Sequence, residues 1–420
     1  MPKMKEESTK EVLLILGASA LEIEVVKRAQ ELGYKVIVTD NHKNPEINSP
    51  AKFIADEAWN ISWTDLDTLE QKCISNNIKG VLAGFSEMRV EHQIKLCQRL
   101  GLPCDTTLDQ FEITRNKLKF KGLCEEYGIP VAPQFSKEEG INHLPVIIKP
   151  SDRGGSAGIK VVTKPEEYYK SLQFSQDASF SNEVVIEKYL GDQVKFDAYY
   201  IVVNGEAILI ATNDTLMVPP VKGHEICQGA WIFPSKHQNK WLNEIHPQIA
   251  KMLNDIGVNN GYITISAFVN EKNEFSVFET GLRLSGDLSY KFTSAEYGYN
   301  YLDFIIGRAM GKKINALPLE TPANTYMLTL NFFAKDGAIE KKVIPSGDFI
   351  DLLAEEKNIS NHENRLPLIG MLYNYGNDLK ELIKHSWANS QEFKLVDDKG
   401  NDMISYRFSP TQLEKFEATR

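Results

Sequence analysis

Apolar and polar positions alternate in blocks along the first hundred residues. A continuous run of five apolar residues at Val12–Leu16 is typical of a strand buried on both faces. Apolar positions then recur at helical spacing, and the two patterns continue in turn. They predict a helix ending at Gly33, a strand at 34–40, a helix at 66–76, a strand at 80–83 and a helix at Glu87–Leu100. Strands separated by helices form right-handed βαβ units, so residues 1–115 are predicted to be a doubly wound, parallel α/β domain.

After residue 115 the pattern changes, and shorter strands lie close together in the sequence. The strongest turn signal is Asn204-Gly205, which lies between two apolar runs and predicts a hairpin. A stretch of mixed polarity with two tandem prolines, at 213–236, predicts a long loop that contacts a substrate. The other predicted elements are helices at 114–127, 240–256, 301–310 and 378–388, and strands at 145–149, 159–163, 184–190, 198–204, 206–212, 262–270 and 274–279.

The most informative chemistry lies between residues 145 and 162. An apolar strand ends there in Lys149, and a second strand-like run begins at Ile159. The loop between them contains Gly154, Gly155, Ser156, Ala157 and Gly158. Glycine lets several backbone N–H groups point at one guest, which suits phosphate oxygens. The segment predicts either a flexible hairpin that closes over a polyphosphate or an ordinary mobile turn. It is not a Walker loop, because the chain lacks Gly-x-x-x-x-Gly-Lys-Ser/Thr.

Composition and charge narrow the class of protein. The chain is 42% hydrophobic and 25% charged, as expected of a soluble globular protein, and its 420 residues predict two to three domains. A formal net charge of −10 argues against general binding of nucleic acid. The five scattered cysteines form no Cys-x-x-Cys pair, and no apolar run reaches the ~18 residues of a membrane span. We therefore expect a cytoplasmic protein without nucleic-acid or membrane partners.

A dinucleotide site in the N-terminal domain is one alternative. The first strand is followed by Gly17-Ala-Ser-Ala, which lacks the spacing Gly-x-Gly-x-x-Gly, and Asp40 is a weak counterpart of a ribose-binding acid. The loop after Leu16 is still suited to a small anion at a helix N-terminus. The glycine loop has the spacing Gly-x-Ser-x-Gly at 154–158, but it joins two predicted strands rather than a strand and a helix, so the nucleophile elbow of a serine hydrolase is not expected. The chain has no histidine pair at metal-binding spacing, so a zinc site is not expected either.

The order of the motifs resembles that of the ATP-grasp superfamily, in particular the branch of carbamoyl-phosphate synthetase, biotin carboxylase and L-amino acid ligase. The motifs are Asn116-Lys117, Val-Ile-Ile-Lys149-Pro with the glycine hairpin, Glu187-Lys-Tyr-Leu190 and Glu279-Thr-Gly-Leu-Arg283. The resemblance implies a two-lobed ATP-grasp domain over residues 116–315, whose lid lobe is 116–190, and a C-terminal α+β lobe over 316–420. It also implies a homodimer.

The resemblance assigns an ATP-binding role to residues in each motif. Lys117 and Lys149 are expected to reach the phosphates, because a compact ammonium acts as a point charge against a polyphosphate. Lys117 has a second interpretation, as one solvated lysine of a Lys-rich helix. The hairpin residues Gly154 to Gly158 are expected to cover the phosphates. The adenine-binding hinge is assigned to Glu187, Lys188, Tyr189 and Leu190, and the ribose contact to Gln193.

A magnesium site is implied at Glu279, since Mg²⁺ prefers carboxylate and phosphate oxygens. Arg283 is expected to hold an acyl-phosphate or a substrate carboxylate. Two positions depart from the family pattern: Ser266 stands near the place of an earlier acid, and Gly281 replaces an asparagine. Either Glu279 and water hold the ion or the site has degenerated. Asp287 follows as a candidate for a substrate amine or as a turn cap.

The resemblance implies an ATP-dependent ligase. Such an enzyme activates a carboxylate as an acyl-phosphate and joins it to an amine or a thiol, with ATP and Mg²⁺ bound between two lobes. Lys149 and Arg283 are the expected catalytic residues. The alternatives are a carboxylase that uses bicarbonate, an ATP-binding protein that has lost turnover, and a nicotinamide-dependent dehydrogenase. The identity of the substrates does not follow from these motifs.

Overall fold

The computed structural model describes residues 10–154, 157–191, 193–218, 227–359 and 368–419. The strands are β1 Val12–Leu16, β2 Lys35–Thr39, β3 Glu57–Trp59, β4 Ile78–Leu82, β5 Val146–Pro150, β6 Lys160–Val162, β7 Val184–Lys188, β8 Val194–Val203, β9 Glu206–Met217, β10 Gln228–Phe233, β11 Gly261–Val269, β12 Phe275–Gly281, β13 Tyr326–Phe333, β14 Gly337–Val343, β15 Asp348–Asp351, β16 Asn358–Ile359, β17 Leu368–Gly376 and β18 Lys394–Asp397. The helices are α1 Glu22–Glu31, α2 Pro45–Asn48, α3 Leu66–Ser75, α4 Glu87–Leu100, α5 Leu108–Arg115, α6 Lys117–Glu126, α7 Tyr168–Ala178, α8 Gln238–Glu244, α9 His246–Asp255, α10 Tyr290–Tyr297, α11 Leu302–Ala309, α12 Leu379–Ser390 and α13 Pro410–Thr419.

Four parallel strands form the N-terminal sheet in the order β3-β2-β1-β4. The central strand β1 alternates its side chains between two buried faces. Leu13 and Ile15 join a core that includes residues of α1, whereas Leu14 and Leu16 join a core that includes residues of α3 and α4. Helices on both faces of a parallel sheet make a doubly wound domain. This part of the fold prediction is confirmed.

The lid lobe contains a three-stranded antiparallel sheet in the order β6-β5-β7. Helix α7 packs against it, and the core between them includes Val146, Ile148, Tyr168 and Leu172. The predicted strand–glycine–strand hairpin is therefore present as β5 and β6. Because β7 also pairs with β5, the strand that ends near Lys149 lies directly beside the strand that carries Glu187.

An eight-stranded sheet forms the largest layer, in the order β12-β11-β8-β9-β10-β13-β17-β15. Its strands pair antiparallel. Side chains of β8 alternate between two buried cores: Phe196 and Tyr200 join a core with α8 and α9, while Tyr199 and Ile201 join the core shared with the N-terminal domain. Strands from both sides of the predicted boundary at 315 belong to this one sheet, and that boundary stays a prediction.

The C-terminal residues add a second small sheet, in the order β16-β14-β18, and helices α12 and α13. Leu382 and Ile383 of α12 pack in a core with Leu395 of β18 and Leu413 of α13. The predicted mixture of α and β structure in this region is confirmed. Among the residues that the structure describes, none of the helices combines the length and apolar character needed to cross a bilayer.

Three sequence predictions differ from the structure. The helix predicted at 240–256 is two helices, α8 and α9, because Pro247 near the start of α9 lacks the N–H needed to continue α8. The helix predicted at 114–127 is likewise divided into α5 and α6, with Asn116 between them. The loop predicted at 213–236 is wrong in extent, since β9 continues to Met217 and β10 pairs with both β9 and β13. Residues 219–226 lie outside the described part of the chain.

Candidate active site

Lys149, Glu187 and Lys121 form a buried cluster of charges under the lid sheet. The Lys149 ammonium donates to the Glu187 carboxylate at 2.7 Å, and Lys121 of α6 contacts the same carboxylate. Burial lowers the pKa of Lys121 to about 6 and that of Lys149 to about 8. Near neutral pH Lys149 therefore carries most of the positive charge of the cluster, and Lys121 is protonated less readily than an exposed lysine. Sequence reasoning missed Lys121, although it lies one helical turn after Lys117.

Lys117 is the first residue of α6, and Asn116 caps that helix by accepting from the N–H groups of Leu118 and Lys119. The Lys117 ammonium donates to the backbone oxygen of Arg153 at 2.6 Å, at the start of the glycine loop. Its side chain is buried, with a residue exposure of 8%. The interpretation as a solvated lysine is therefore wrong, and Lys117 is held against the loop that was predicted to cover phosphates.

The glycine loop connects β5 to β6 and lies close to the N-terminal domain. A Cβ added to Gly154 would lie 2.9 Å from the carboxylate of Glu87 in α4. Gly158 has a φ of +76°, and a Cβ there would lie 2.5 Å from that of Ala178 in α7. The Ala157 N–H donates to the Gly154 oxygen at 3.4 Å. Gly155 and Ser156, both predicted to bind phosphate, lie outside the described residues.

The segment after β7 has the backbone groups expected of a hinge. The Lys188 N–H donates to the Pro133 oxygen at 3.0 Å, so this donor is already used within the chain. The Tyr189 N–H donates to Pro145, and Leu190 is buried. The side-chain oxygen of Gln193 is buried without a hydrogen-bond partner among the described residues. A buried acceptor without a donor is costly, and a ribose hydroxyl would satisfy it.

Glu279 lies near the end of β12, and its residue is exposed to solvent. In the antiparallel register it pairs with Ser266 of β11, which pairs in turn with Asp197 of β8. These three residues form a lateral row on one face of the sheet, because side chains of paired positions point the same way. Among the described residues, no cluster of three or more acidic, histidine or cysteine side chains is arranged to hold a metal ion. Glu279 with phosphate oxygens still fits Mg²⁺, which commonly binds through one carboxylate and a nucleotide.

Glu87 is a site residue that the sequence analysis did not identify. It begins α4, just after β4, and the charges that act on its carboxyl are those of Arg283, Glu279, Lys117 and Arg115. Burial raises the pKa of Glu87, while the three cations lower it and Glu279 raises it. The N-terminal domain thus supplies an acid beside Arg283 and Glu279. Its position after a parallel strand, where such folds bind ligands, is the signal that would have found it.

Two predicted ligand positions are filled by the chain itself. Asp287 accepts from the Ser285 hydroxyl at 2.8 Å, from the Ser289 N–H at 3.0 Å and from the Tyr199 hydroxyl. It is buried, so it serves as a cap within the core. The loop after Leu16 holds the carboxylate of Glu22, which accepts from the Ser19 N–H at 2.7 Å. The small anion expected there is thus replaced by a side chain of α1.

Arg283 and Glu279 belong to the same group of interacting charged residues. The Arg283 guanidinium donates to the Leu284 oxygen at 3.0 Å, and this residue is partly buried. The Glu279 charge also acts on Lys149, where it opposes the effect of burial. The lid sheet, α6, the end of the large sheet and the N-terminal domain therefore contribute charged groups that act on one another, namely Lys149, Lys117, Glu279, Arg283 and Glu87. Such an arrangement can bind a polyphosphate on one side and a charged small molecule on the other.

Comparison with known proteins bears on the family resemblance of the chain. Residues 142–291 match the family model of the ATP-grasp domain. The chain is 24% identical over 344 residues to the carbamoyl phosphate synthase large chain of Clostridium beijerinckii, a match that covers 74% of this chain and 30% of that one. The chain thus spans about a third of the length of that relative.

Solved structures show the same fold at low sequence identity. The biotin carboxylase domain dimer of Hydrogenobacter thermophilus 2-oxoglutarate carboxylase, in complex with MgADP, ADP and bicarbonate, has a TM-score of 0.77 at 16% identity, covering 92% of this chain and 90% of that one. The L-amino acid ligase of Bacillus licheniformis has a TM-score of 0.74 at 16% identity, with coverages of 93% and 99%. The matched family region contains the hairpin, the hinge and Glu279 to Arg283. The predicted resemblance is confirmed: residues 142–291 match the ATP-grasp domain, and the α/β and α+β fold of the chain is shared with these structures.

Proposed function

We propose that this protein is an ATP-dependent ligase that forms an acyl-phosphate from a carboxylate and transfers the acyl group to an amine or a thiol, with ADP and phosphate as products. The observation that carries the proposal is that Lys117, Lys149, Glu279, Arg283 and Glu87 lie close enough together for their charges to interact. These residues come from three layers of the fold, and their charges act on one another. Three cations with two carboxylates suit a nucleoside triphosphate with a metal ion and a zwitterionic or acidic substrate.

ATP would lie between the lid sheet and the eight-stranded sheet. The hinge at Lys188 to Leu190 offers backbone groups to adenine, and the unpartnered oxygen of Gln193 offers an acceptor to the ribose. Glu187 is already bound by Lys149, so we assign it the orientation of that lysine as well as any contact with adenine. Lys117 and Lys149 would neutralise phosphate charge. Magnesium, held by Glu279 and phosphate oxygens, would supply further positive charge at the transferred phosphoryl group.

The chemistry then needs two displacements. A carboxylate oxygen of the first substrate attacks the γ-phosphorus, the bond to the bridging oxygen of ADP breaks, and an acyl-phosphate results. The nucleophile attacks the acyl carbon, the C–O bond to phosphate breaks, and the nucleophile loses its proton. Arg283 would hold the acyl-phosphate, and Glu87 would hold the amine or accept that proton. Closure of the glycine hairpin would protect the acyl-phosphate from water.

The test is a screen for ADP release with Mg·ATP and pairs of small carboxylates and amino acids. Release that requires both a carboxylate and a nucleophile supports the ligase. Lys149→Ala and Glu279→Ala should abolish that release, whereas Lys384→Ala, which changes an exposed lysine of α12, should not. Full activity in both site variants would refute the site assignment. Failure of calorimetry to detect Mg·ATP binding would refute the function.

A carboxylase is the second candidate function. Its support is the bicarbonate bound with ADP in the Hydrogenobacter thermophilus domain of similar fold. ADP release that is stimulated by bicarbonate alone would favour it over the ligase. A degenerate ATP-binding protein would show nucleotide binding but no ADP release with any substrate pair.

We also propose a cytoplasmic homodimer, by analogy with the dimer of the Hydrogenobacter thermophilus domain. Light scattering that shows a monomer at micromolar concentration would refute this assembly.

A further inference from the structure

A second buried ion pair lies on β8, beside the lateral row that contains Glu279. The Lys195 ammonium contacts the Asp197 carboxylate at 2.5 Å, and the Ser266 hydroxyl donates to the other oxygen of that carboxylate at 2.5 Å. All three residues are buried, with exposures between 4% and 7%. Burying a lysine and an aspartate in a sheet costs free energy unless hydrogen bonds and opposite charges, from the protein or from a ligand, compensate both groups. The family motifs did not indicate either residue.

The register shows which face of the sheet this pair occupies. Asp197 pairs with Ser266, and Ser266 pairs with Glu279. Lys195 lies two residues before Asp197 on the same strand, so its side chain points to the same face. Lys195, Asp197 and Glu279 therefore share the face of the sheet on which the metal ligand was assigned.

Two aromatic rings connect Lys195 to the lysine of the glycine hairpin. Lys195 pairs with Phe268 of β11. The ring of Phe268 stacks on that of Phe278, with centroids 4.9 Å apart, and the Lys149 ammonium lies 5.1 Å from the Phe278 centroid. The aromatic pair thus lies between the two lysines. A nucleotide bound against Lys149 would therefore lie near the face of the sheet that carries Lys195.

We propose that Lys195 is a third phosphate-binding cation of the ATP site, oriented by Asp197 and Ser266, and that it supplies the charge which a second metal ion would otherwise supply. The inference rests on the proposed ATP-binding function. Ser266 occupies the place where a second acid would hold a metal, and a hydroxyl is a poor ligand for Mg²⁺. An ammonium carries three N–H donors, and Asp197 accepts one of them. The site is then built for a single magnesium ion.

A purely structural ion pair is the competing explanation, in which Lys195 only neutralises Asp197. The two explanations differ in how nucleotide affinity depends on the number of phosphates. A phosphate-binding lysine contributes more to ATP than to AMP, because the charge of the ligand grows with its phosphate chain. A structural lysine changes the affinity for every adenine nucleotide by the same factor.

The experiment compares wild type and Lys195→Met by calorimetry with a non-hydrolysable Mg·ATP analogue, Mg·ADP and AMP. We expect the analogue to lose roughly ten- to a hundredfold in affinity and AMP to lose less than about threefold. Lys342→Met is the matched control, because it breaks a partly buried lysine–aspartate pair, that with Asp351, in the C-terminal region. The control should bind all three nucleotides as wild type does. Equal losses for all three ligands in Lys195→Met, or no loss, would overturn the proposal.

A measurement on the wild type keeps the test independent of the folding of any variant. The slope of the logarithm of analogue affinity against the logarithm of free Mg²⁺ concentration gives the number of ions taken up with the nucleotide. We expect one ion, and an uptake of two ions would contradict the role of Lys195. If the wild type binds the analogue but Lys195→Met is unaltered, the inference fails while the proposed function stands. If the wild type binds no nucleotide, both fail.

Discussion

The Lys149 ammonium lies 2.7 Å from the Glu187 carboxylate and so joins the strand that enters the glycine hairpin to the strand that leads to the hinge. The two residues are on adjacent strands, β5 and β7, and both are buried. Burial lowers the pKa of Lys149 to about 8, with Glu279 acting in the opposite direction. The lysine that would bind phosphate is therefore half deprotonated near pH 8 in the free protein.

Nucleotide affinity should consequently depend on pH. A polyphosphate binds the ammonium form, so affinity should be nearly constant from pH 6.5 to 7.5 as far as Lys149 is concerned. Above pH 8 it should weaken by about tenfold per pH unit, because binding must then take up a proton. Calorimetry with a non-hydrolysable Mg·ATP analogue between pH 7 and 9.5 measures this dependence.

Lys149→Arg is the control for that experiment, since arginine stays charged over this whole range. The variant should bind with an affinity that changes little between pH 7 and 9.5. A wild-type affinity that is flat up to pH 9.5 would contradict the assignment of the titration to Lys149. The same change of affinity with pH in wild type and Lys149→Arg would also contradict that assignment.

Lys121→Met should stabilise the protein. Burial and the neighbouring Lys149 lower the pKa of Lys121 to about 6 in the folded state, against an ordinary value of 10.5. Between these two pH values the unfolded chain binds a proton that the folded chain does not, so the free energy of unfolding rises with pH across that window. Methionine removes the cost of burying the lysine. We expect the free energy of unfolding to increase by roughly 1–4 kcal/mol at pH 7 and to depend less steeply on pH.

Urea denaturation at pH 6, 7.5 and 9 measures the free energy of unfolding of Lys121→Met and its dependence on pH. The matched control is Lys119→Met, on the same helix, where an exposed lysine pairs with Glu112. It should change the free energy of unfolding by less than about 0.5 kcal/mol. Destabilisation by Lys121→Met would show instead that the lysine is charged and needed by Glu187 in the folded protein.

Glu87→Gln should slow the reaction without weakening the binding of ATP. The strongest charge interactions of the Glu87 carboxyl are with Arg283 and Glu279, so we expect its loss to act mainly on the substrate rather than on adenine. Once a substrate pair is known, we expect kcat/KM for the nucleophile to fall by about a hundredfold or more, with the Kd for Mg·ATP within about threefold of wild type. Glu91→Gln, one turn later on the same helix and paired with Lys95, should leave both quantities unchanged.

Part of the fold was predictable because its signals are local. The run Val12–Leu16, the helix Glu87–Leu100 and the strand–glycine–strand order of β5 and β6 each lie in one stretch of sequence, and the structure has them where they were predicted. Lys149 and Glu187 were found through motifs, but their direct pairing depends on the register of β5 with β7.

The rest of the site arises from pairing between distant segments. Asp197, Ser266 and Glu279 become neighbours only through the order β8-β11-β12, which no local pattern contains. Glu87 reaches the site because the N-terminal domain packs on the large sheet. The prediction of a loop at 213–236 was wrong in extent because strand β10 forms by pairing with β9 and with β13, which is distant in the sequence.

Gly158→Ala should destabilise the lid, whereas Gly122→Ala should stabilise the protein. Gly158 has a φ of +76°, and an added Cβ would lie 2.5 Å from Ala178 and 2.7 Å from the ring of Pro150, so both the backbone and the neighbours resist a side chain. We expect the free energy of unfolding of Gly158→Ala to fall by about 1–3 kcal/mol.

Gly122 lies inside α6 with open space around it. Alanine there should raise the free energy of unfolding by about 0.5–1 kcal/mol through its higher helix propensity.

Amide hydrogen exchange separates these two effects by region. Protection in β5 and β6 should fall in Gly158→Ala while protection in the N-terminal sheet stays the same, because the strain is confined to the contact between the hairpin and α7. Under the proposal that the hairpin closes over the phosphates, the variant should also bind Mg·ATP more weakly than wild type but bind AMP with nearly the same affinity. Unchanged protection in β5 and β6, or equal losses for the two nucleotides, would mean that the loop does not act as a phosphate cover.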